Sequence, residues 1–564
     1  MRKPAPPPVP RWLFPAALVL SAFFLLGLFS TETADPDFWW HLATGRYIVQ
    51  QHHLPVPDPF AYTTATAAPA YPDEPATRHF NLTHEWLAQA FWYVLYALGG
   101  FPALVLWKAV LLTFFCGLVG LTAARRTKSG WWGVAAALAA AALATEFAHD
   151  RPALLTYVFT AAFLALLDSR RRLYLLPVLA LIWANCHGGF FLGWIVCGAY
   201  TIDAFVRRAP NRRTLLLVSA AVFLLSAVNP NGFASFSTIL RYRQSPLQSS
   251  LIEWSRADLW GPPYAFDLLL YAAALSLALS WRRVRVSDWI LFAAFAGAAI
   301  LAFRNELLIG LLAPILIAGY APFARFKPLL VRVPLRPLPY AACAALLSAT
   351  AWGAARGSFF QLRAAEWSYP SGAADFLLQH RISVPLFNTY EYGGYLIWRG
   401  LPVFIDGRAL SESVFQDYRL ILGTPPGDPR RDQTLARYRI GAILVNSFEY
   451  ASGELYAMIP ALTQPGESAW HLVYEDPQSL LFLRDVPPGI PVLDSRRIVP
   501  HLEAECRLHI DHDPEFSLCA RKLADLYMRA GDNQSAKRAL ALYLSHPYAD
   551  DPEARAAYLK LLGQ

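Results

Sequence analysis

Asp35-Pro36-Asp37-Phe38-Trp39-Trp40-His41 stands directly after the first apolar stretch of the chain, residues 12–30. Two carboxylates, two indoles and an imidazole thus gather at the edge of a segment long enough to cross a bilayer. Ionisable groups at membrane depth are expensive and tend to face an aqueous cavity or a bundle interior. The fold class rests on whether the rest of the chain is built like residues 12–30.

It is. Of the 564 residues, 55% are hydrophobic and 16% charged, against about 25% charged in a soluble protein. Aromatic residues reach 14%, as two interfacial aromatic belts require. A membrane helix needs roughly 20 apolar residues. Segments of about that kind lie at 12–30, 101–123, 131–147, 153–167, 173–185, 188–206, 214–228, 266–281, 287–303, 307–320 and 338–356. Residues 173–206 also read as one broken helix. The expected class is an α-helical polytopic membrane protein of about eleven spans.

The loops alternate in charge. One set carries Arg2, Lys3 and Arg11; Arg125, Arg126 and Lys128; Arg170, Arg171 and Arg172. It continues with Arg207, Arg208, Arg212 and Arg213; Arg282, Arg283 and Arg285; Arg325, Lys327, Arg332 and Arg336. The other set holds only Arg46, Arg78, Arg151, Arg241, Arg243, Arg256 and Arg304. By the positive-inside rule the first set is cytoplasmic. The expected placement is therefore a bacterial cytoplasmic (inner) membrane, with the N-terminus inside and the C-terminal part outside. The formal charge of +8 follows from these loops, and no nucleic-acid partner is expected. Residues 12–30 exceed a signal-peptide apolar core and read as an uncleaved anchor. Six cysteines show no CxxC and no metal-ligand spacing, so neither a disulfide framework nor a zinc site is expected.

The chemically capable residues fall on the non-basic side. The first outer loop, 31–100, holds Asp35, Asp37, His41, Asp58, His84 and Glu85, and ends in an amphipathic, interfacial helix at 83–98. Later outer loops carry His149-Asp150-Arg151, Asn185-Cys186-His187-Gly188-Gly189, Asn229-Pro230-Asn231-Gly232, Glu253-Trp254 and Arg304-Asn305-Glu306. One outward cavity would account for them together. Each also has a plainer explanation: solvated acids, helix-end histidines, and a turn at Asn229–Gly232.

Beyond residue 356 the composition changes. Strands are expected at 385–388, 402–406, 442–446, 470–474 and 479–483, with a helix at 369–379, which suggests a small α/β domain. Tyr390-Glu391-Tyr392-Gly393-Gly394 and Ile405-Asp406-Gly407-Arg408 suit either a sugar or phosphate site or a tight turn with an ion pair. Helices at 518–530, 533–544 and 552–562 resemble a tetratricopeptide hairpin too short to stand alone. The expected domains are 1–356 in the membrane, 357–490 extracytoplasmic α/β, and 491–564 a helical tail.

Several phrases together carry a resemblance: Asp37-Phe38-Trp39-Trp40-His41-Leu42-Ala43-Thr44-Gly45, Pro57-Asp58-Pro59-Phe60, Glu85-Trp86-Leu87, Trp183-Ala184-Asn185-Cys186-His187-Gly188-Gly189, Asn229-Pro230-Asn231-Gly232, Glu253-Trp254 and Gly393-Gly394-Tyr395-Leu396. Residues 10–490 resemble the GT-C glycosyltransferases, the superfamily of the protein mannosyltransferases, and most closely its bacterial members with a C-terminal soluble domain. In place of the Asp-Glu pair of the mannosyltransferases this chain has Asp35-Pro36-Asp37.

The resemblance implies transfer of a hexosyl or pentosyl group from a polyprenyl-phosphate-linked sugar to an extracytoplasmic protein, lipid or glycan, beside membrane lipid. Asp37 would serve as general base, with Asp35 as the alternate. Arg151, His187 and Arg304 would stabilise the leaving phosphate. His41, Asp58, His84, Glu85 and Asn185 complete the expected substrate-binding set. A divalent Mg or Mn ion is an open expectation, with Asp37 and Glu85 as candidate ligands. Two other readings stay open: a transporter or flippase of a lipid-linked or polyanionic solute, and a non-catalytic envelope assembly factor that recruits a partner through residues 500–564. Against the transporter stand nearly charge-free spans, with Lys108 and Asp203 as exceptions, and no two-half repeat.

Overall fold

A computed structural model describes residues 10–241, 252–261, 264–322, 337–450, 452–463, 469–512, 517–545 and 551–563. Of the basic positions above, Arg2, Lys3, Arg243, Arg325, Lys327, Arg332 and Arg336 lie outside them. Contacts divide the chain into two units: Met1–Thr33 with Thr44–Leu54 and Leu82–Ala364, and Ala34–Ala43 with Pro55–Asn81 and Ala365–Gln564. This differs from a linear division near residue 356. Two pieces of the first outer loop, Ala34–Ala43 and Pro55–Asn81, join Ala365–Gln564 in the second unit.

The first unit is a helical bundle. Each of the expected spans is a helix, from Leu13–Phe29 to Leu338–Ala355. Five helices among the described residues are long and apolar enough to cross a membrane, and five more, such as Ala153–Ser169 and Val286–Leu301, are apolar but shorter. The helix Trp86–Thr127 merges the expected interfacial helix with the following span. Gly100, at φ +60°, breaks it between the two. That backbone conformation favours glycine, and Pro102 sits just beyond, in the first turn of the second half. The expected break in 173–206 falls at His187, extended between helices Leu175–Cys186 and Phe191–Val206.

Two sets of buried charges in the bundle are paired. Lys108, 2% exposed, donates to Asp150 at 2.9 Å and to the Thr31 carbonyl at 3.0 Å. At the arginine-rich helix ends, Arg126 grips Asp288 through two 3.0 Å bonds and Asp168 through a third. Arg285 reaches Asp168 at 2.7 Å, and the Tyr320 hydroxyl donates to Asp288. A buried cation is tolerated only when its partners satisfy it, so this knot ties the ends of several spans. The sequence showed the arginines of this face but not the aspartates that hold them.

In the second unit four short strands form one sheet: β1 Leu386–Asn388, β2 Ala442–Val445, β3 His471–Glu475 and β4 Leu480–Leu483. Their order is β1-β2-β4-β3. β1 and β2 run parallel, and the other pairings are antiparallel. The expected strand at 402–406 is instead irregular chain with a single bridge, Val403 to Ala61. Four tail helices follow, Ile498–His512, Leu518–Arg529, Asn533–Leu544 and Pro552–Leu562. Glu505, fully buried, accepts the Ser447 amide and faces His501 at 2.9 Å, which docks the first of them at the end of β2. A disulfide joins Cys506 to Cys519. This corrects the expectation drawn from cysteine spacing, because two cysteines thirteen residues apart meet only once two helices pack antiparallel.

The helix Tyr390–Trp398 carries the two glycines of the Gly393-Gly394 phrase on its packed face. A Cβ on Gly394 would lie 2.5 Å from the Pro36 carbonyl, and one on Gly393 would overlap Ile405 and Asp406. The glycines therefore serve close backbone packing and make no ligand cradle. That packing brings Glu391, in the first turn, toward Asp37. Its Oε2 is buried and has no hydrogen-bond partner among the described residues. Burial, against one backbone hydrogen bond and helped by Glu449 and Asp37, pushes the Glu391 carboxyl up to about 7.

Two outcomes follow from these buried charges. Lys108→Met leaves Asp150 buried without its cation, and should destabilise the protein by about 3–5 kcal/mol, read as a lowered unfolding midpoint in detergent. An unchanged midpoint would show that the pair holds nothing. Glu391 has a raised folded-state value, so its contribution is full below the unfolded value near 4.5 and is lost as pH rises through about 7. Glu391→Gln should therefore be more stable than the wild type at pH 8 by on the order of 3 kcal/mol, with the difference vanishing toward pH 4. Parallel stability–pH curves would rule Glu391 out as a titrating group.

Candidate active site

The expected site residues divide between the units. Asp35, Asp37, His41 and Asp58 lie in the second; His84, Glu85, Arg151, Asn185, His187 and Arg304 lie in the first. Each cluster is built on its own terms.

In the second unit the Asp35 side chain accepts the Asp37 amide at 3.0 Å, and its carbonyl accepts Phe38 N–H at 3.2 Å. Asp35 thereby shapes the entry to the helix Phe38–Gln51, and the two acids differ in kind. Asp37 is half-buried and stands at the N-terminal end of that helix, where the helix dipole favours an anion. Its carboxylate lies against Gly407, where any Cβ would collide with it. The Asp406-Gly407-Arg408 turn is thus the wall behind Asp37. The Trp40 indole Nε1 is 3.0 Å from the same point and is a buried donor with no partner among the described residues.

Trp39 and Trp40 are 3% and 6% exposed. Trp39 packs edge-on against Tyr369 and Tyr395 at 4.8 and 4.9 Å between ring centres. The indoles are core residues of this unit. His41 is buried too, with its ring 3.6 Å from that of Trp40.

Asp58 is committed elsewhere. Its oxygens accept from Arg408 at 2.7 and 3.2 Å, while Asp406 grips the same guanidinium at 2.7 Å through Nε and again through a second nitrogen. All three side chains are almost fully buried. The ion-pair reading of Asp406–Arg408 is the one realised, with Asp58 as an added partner. Asp58 also accepts the Phe60 and Ala61 amides, so it acts as a strut.

In the first unit Glu85 is the centre. Its Oε1 lies 3.4 Å from His84 Nε2 and 3.6 Å from His187 Nε2. The other ring nitrogen of His187, Nδ1, accepts the Gly189 amide at 3.0 Å and meets the Thr156 hydroxyl at 2.7 Å. Trp183 Nε1–H donates in turn to that hydroxyl at 3.0 Å. With Nδ1 accepting, a neutral His187 carries its proton on Nε2, toward Glu85. Asn185 is occupied by structure: it accepts the Trp86 indole at 2.8 Å and donates to the Leu181 and Val228 carbonyls. Asn231 ties this region to Thr83 at 3.0 Å.

Arg151 and Arg304 meet on a residue that the outer-loop pattern contained but gave no role. Glu253 accepts from Arg151 at 2.7 Å with Oε1 and lies 3.3 Å from Arg304 with Oε2. These side chains are about one-third exposed. Among the described residues no group of three or more His, Cys, Asp or Glu side chains converges as a metal cage. Asp37 and Glu85 belong to different units.

Thr156 escapes sequence reasoning, while Glu391, Arg408 and Trp183 stand in the quoted phrases without an individual role. A lone acid inside the apolar phrase Tyr390–Trp398 was the available signal for Glu391. Thr156 sits within an apolar span and gave none.

No family model matches the chain, and no curated protein matches it either. Solved structures do. The oligosaccharyltransferase of Archaeoglobus fulgidus, crystallised with a tethered acceptor peptide containing the NVT sequon, is similar at a TM-score of 0.52 with 9% identity, over 85% of this chain and 75% of that one. ArnT of Cupriavidus metallidurans, bound to undecaprenyl phosphate, matches at a TM-score of 0.46 with 13% identity, over 85% of this chain and 99% of that one. The chain therefore shares its fold with the Archaeoglobus fulgidus oligosaccharyltransferase.

Proposed function

We propose that this protein transfers a sugar from a polyprenyl-phosphate-linked donor to an acceptor outside the cytoplasm. The observation that carries the reading is the pair of guanidiniums, Arg151 and Arg304, drawn together on one part-exposed carboxylate in a GT-C fold. Two cationic forks so placed suit a phosphate, whose charge grows as the sugar leaves it. The neighbour ArnT holds undecaprenyl phosphate, which is a ligand of that chemistry.

Asp37 is the base assigned to the acceptor's proton. Asp35 is spent on the local turn, while Asp37 stands at a helix start beside a glycine-lined wall. Glu85, with His84 and His187, is assigned to orienting polar groups of the substrate. A divalent ion, Mg or Mn, enters the proposal only as an optional addition. In this proposal the Arg126–Asp288 knot is cytoplasmic and the C-terminal unit extracytoplasmic, and the sign of the loop charges supports that reading. The Cys506–Cys519 disulfide supports that placement, because such bonds persist in oxidising compartments.

The test is transfer of radiolabelled sugar from polyprenyl-phosphate donors by the purified full chain. Asp37→Asn should lower turnover by about 10²–10⁴-fold with the unfolding midpoint unchanged, and Asp35→Asn should cost less. Full activity in Asp37→Asn would remove Asp37 as base. A wild type that transfers nothing, yet carries lipid-linked sugar across liposomes, would favour the transporter.

A further inference from the structure

Thr156 is buried in the first turn of the helix Ala153–Ser169, with its hydroxyl between an indole and an imidazole. Trp183 Nε1–H can only donate, and it meets Thr156 Oγ1 at 3.0 Å. Oγ1 accepts that bond and keeps its own hydrogen for His187 Nδ1, 2.7 Å away. The Gly189 amide, also a donor only, reaches the same Nδ1 at 3.0 Å. A proton on Nδ1 would face the Gly189 N–H, so the neutral ring carries its proton on Nε2. The fit leaves no slack. A Cβ on Gly189 would lie 2.6 Å from Thr156 Oγ1 and 3.1 Å from His187 Nδ1.

The Gly189 bond alone caps the turn Gly188–Phe190. The Thr156 hydroxyl adds a second, shorter restraint, which sets where the opposite edge of the ring points. That edge lies 3.6 Å from Glu85 Oε1, and His84 Nε2 lies 3.4 Å from the same oxygen. The His187 side chain is 15% exposed, so a ligand can meet this edge. An N–H donor beside a carboxylate suits a hydroxyl group, whose oxygen accepts while its hydrogen donates. The same stretch of chain also leads to the arginines. Arg151 stands just ahead of this helix, and Tyr157, the residue after Thr156, donates to the Arg304 carbonyl at 2.8 Å. In a lipid-linked donor the group bonded to the phosphate is the sugar, so its hydroxyls are the ones nearest that phosphate.

We propose that Thr156 is a positioning residue: its hydroxyl, with the Gly189 amide, holds His187 with an Nε2 proton beside the Glu85 carboxylate, and that pair binds a hydroxyl of the sugar carried on the lipid phosphate. The inference rests on the reading of Arg151 and Arg304 as the pair that holds the donor phosphate. It adds the part of the donor that the Glu85 cluster recognises and the residue that aims it.

Two measurements on the full protein in nanodiscs test it. Nitrogen NMR with labelled histidine, compared with His187→Gln to identify the signal, reports which ring nitrogen carries the proton. Wild type should show it on Nε2, and a proton on Nδ1 would overturn the proposal. Binding is then compared for farnesyl-phosphate-linked glucose and mannose and for farnesyl methyl phosphate, which has the same charge and no sugar. Wild type should bind the better sugar-linked probe about ten-fold tighter than farnesyl methyl phosphate. Thr156→Val should lose most of that margin and change farnesyl methyl phosphate binding by less than about three-fold. Thr156→Ser, which keeps the hydroxyl for both Trp183 and His187, should restore the margin. Equal weakening of all probes in Thr156→Val, or no recovery in Thr156→Ser, would make Thr156 a structural residue and overturn the assignment. A wild type that binds farnesyl methyl phosphate with no margin for either sugar overturns the assignment alone. One that binds none of the three probes also removes the phosphate reading beneath it.

Discussion

The Arg408 guanidinium, clamped between Asp58 and Asp406, is the interaction on which the second unit depends. It joins positions 350 residues apart in the chain and excludes water from all three groups. Bidentate pairing makes such a contact strong and directional. Removing either partner would strand a charge in a dry interior. The consequence is geometric: loop residues 55–81 become part of the α/β unit, and the turn that carries Arg408 also presents Gly407 to the Asp37 carboxylate. Glu74 extends the same logic, since it pairs with Arg78 and accepts the Glu412 amide. The first outer loop is thus held by charge rather than by apolar packing alone.

The bundle follows a similar rule at both ends of its helices. Apolar spans exclude water, so ionisable groups near them tend to find partners in the protein. Lys108 and Asp150 do so in the interior, and Arg126, Asp168, Asp288 and Arg285 do so at the arginine-rich ends. The cluster of Arg151, Glu253 and Arg304 differs from these. It is part-exposed, which sets it apart from these buried pairs. The trio around Glu85 is distinguished by direction: Thr156, Trp183 and Gly189 hold one edge of His187 so that the other edge faces a carboxylate.

Most of the bundle was legible because its signal is local. Length, hydropathy and loop charge name a membrane helix without reference to the rest of the chain. The helix break at His187 and the kink at Gly100 were foreshadowed by polar and glycine residues between apolar runs. The C-terminal sheet was legible for the same reason, since four of its five expected strands are short apolar runs. The segment at 402–406 misled because its apolar side chains fill the core from irregular backbone, with Val403, Phe404 and Ile405 nearly or fully buried. The disulfide was invisible because cysteine spacing says nothing about which helices pack together.

The sequence by itself determined the apolar segments that become helices, the alternation of charge between their loops, and which loops hold the reactive residue types. Hydrophobicity and charge are properties of each residue, and their order along the chain suffices for that. Tertiary structure alone decided which of those residues are spent on the fold. Asp35, Asp58 and Asn185 are consumed by turns, a guanidinium and backbone carbonyls, whereas Asp37 keeps its place at a helix start. It also decided that Glu253 bridges two arginines from separate loops, and that Glu391 comes within electrostatic reach of Asp37. Pairing energies depend on distance and burial, and neither exists until remote segments have been brought together.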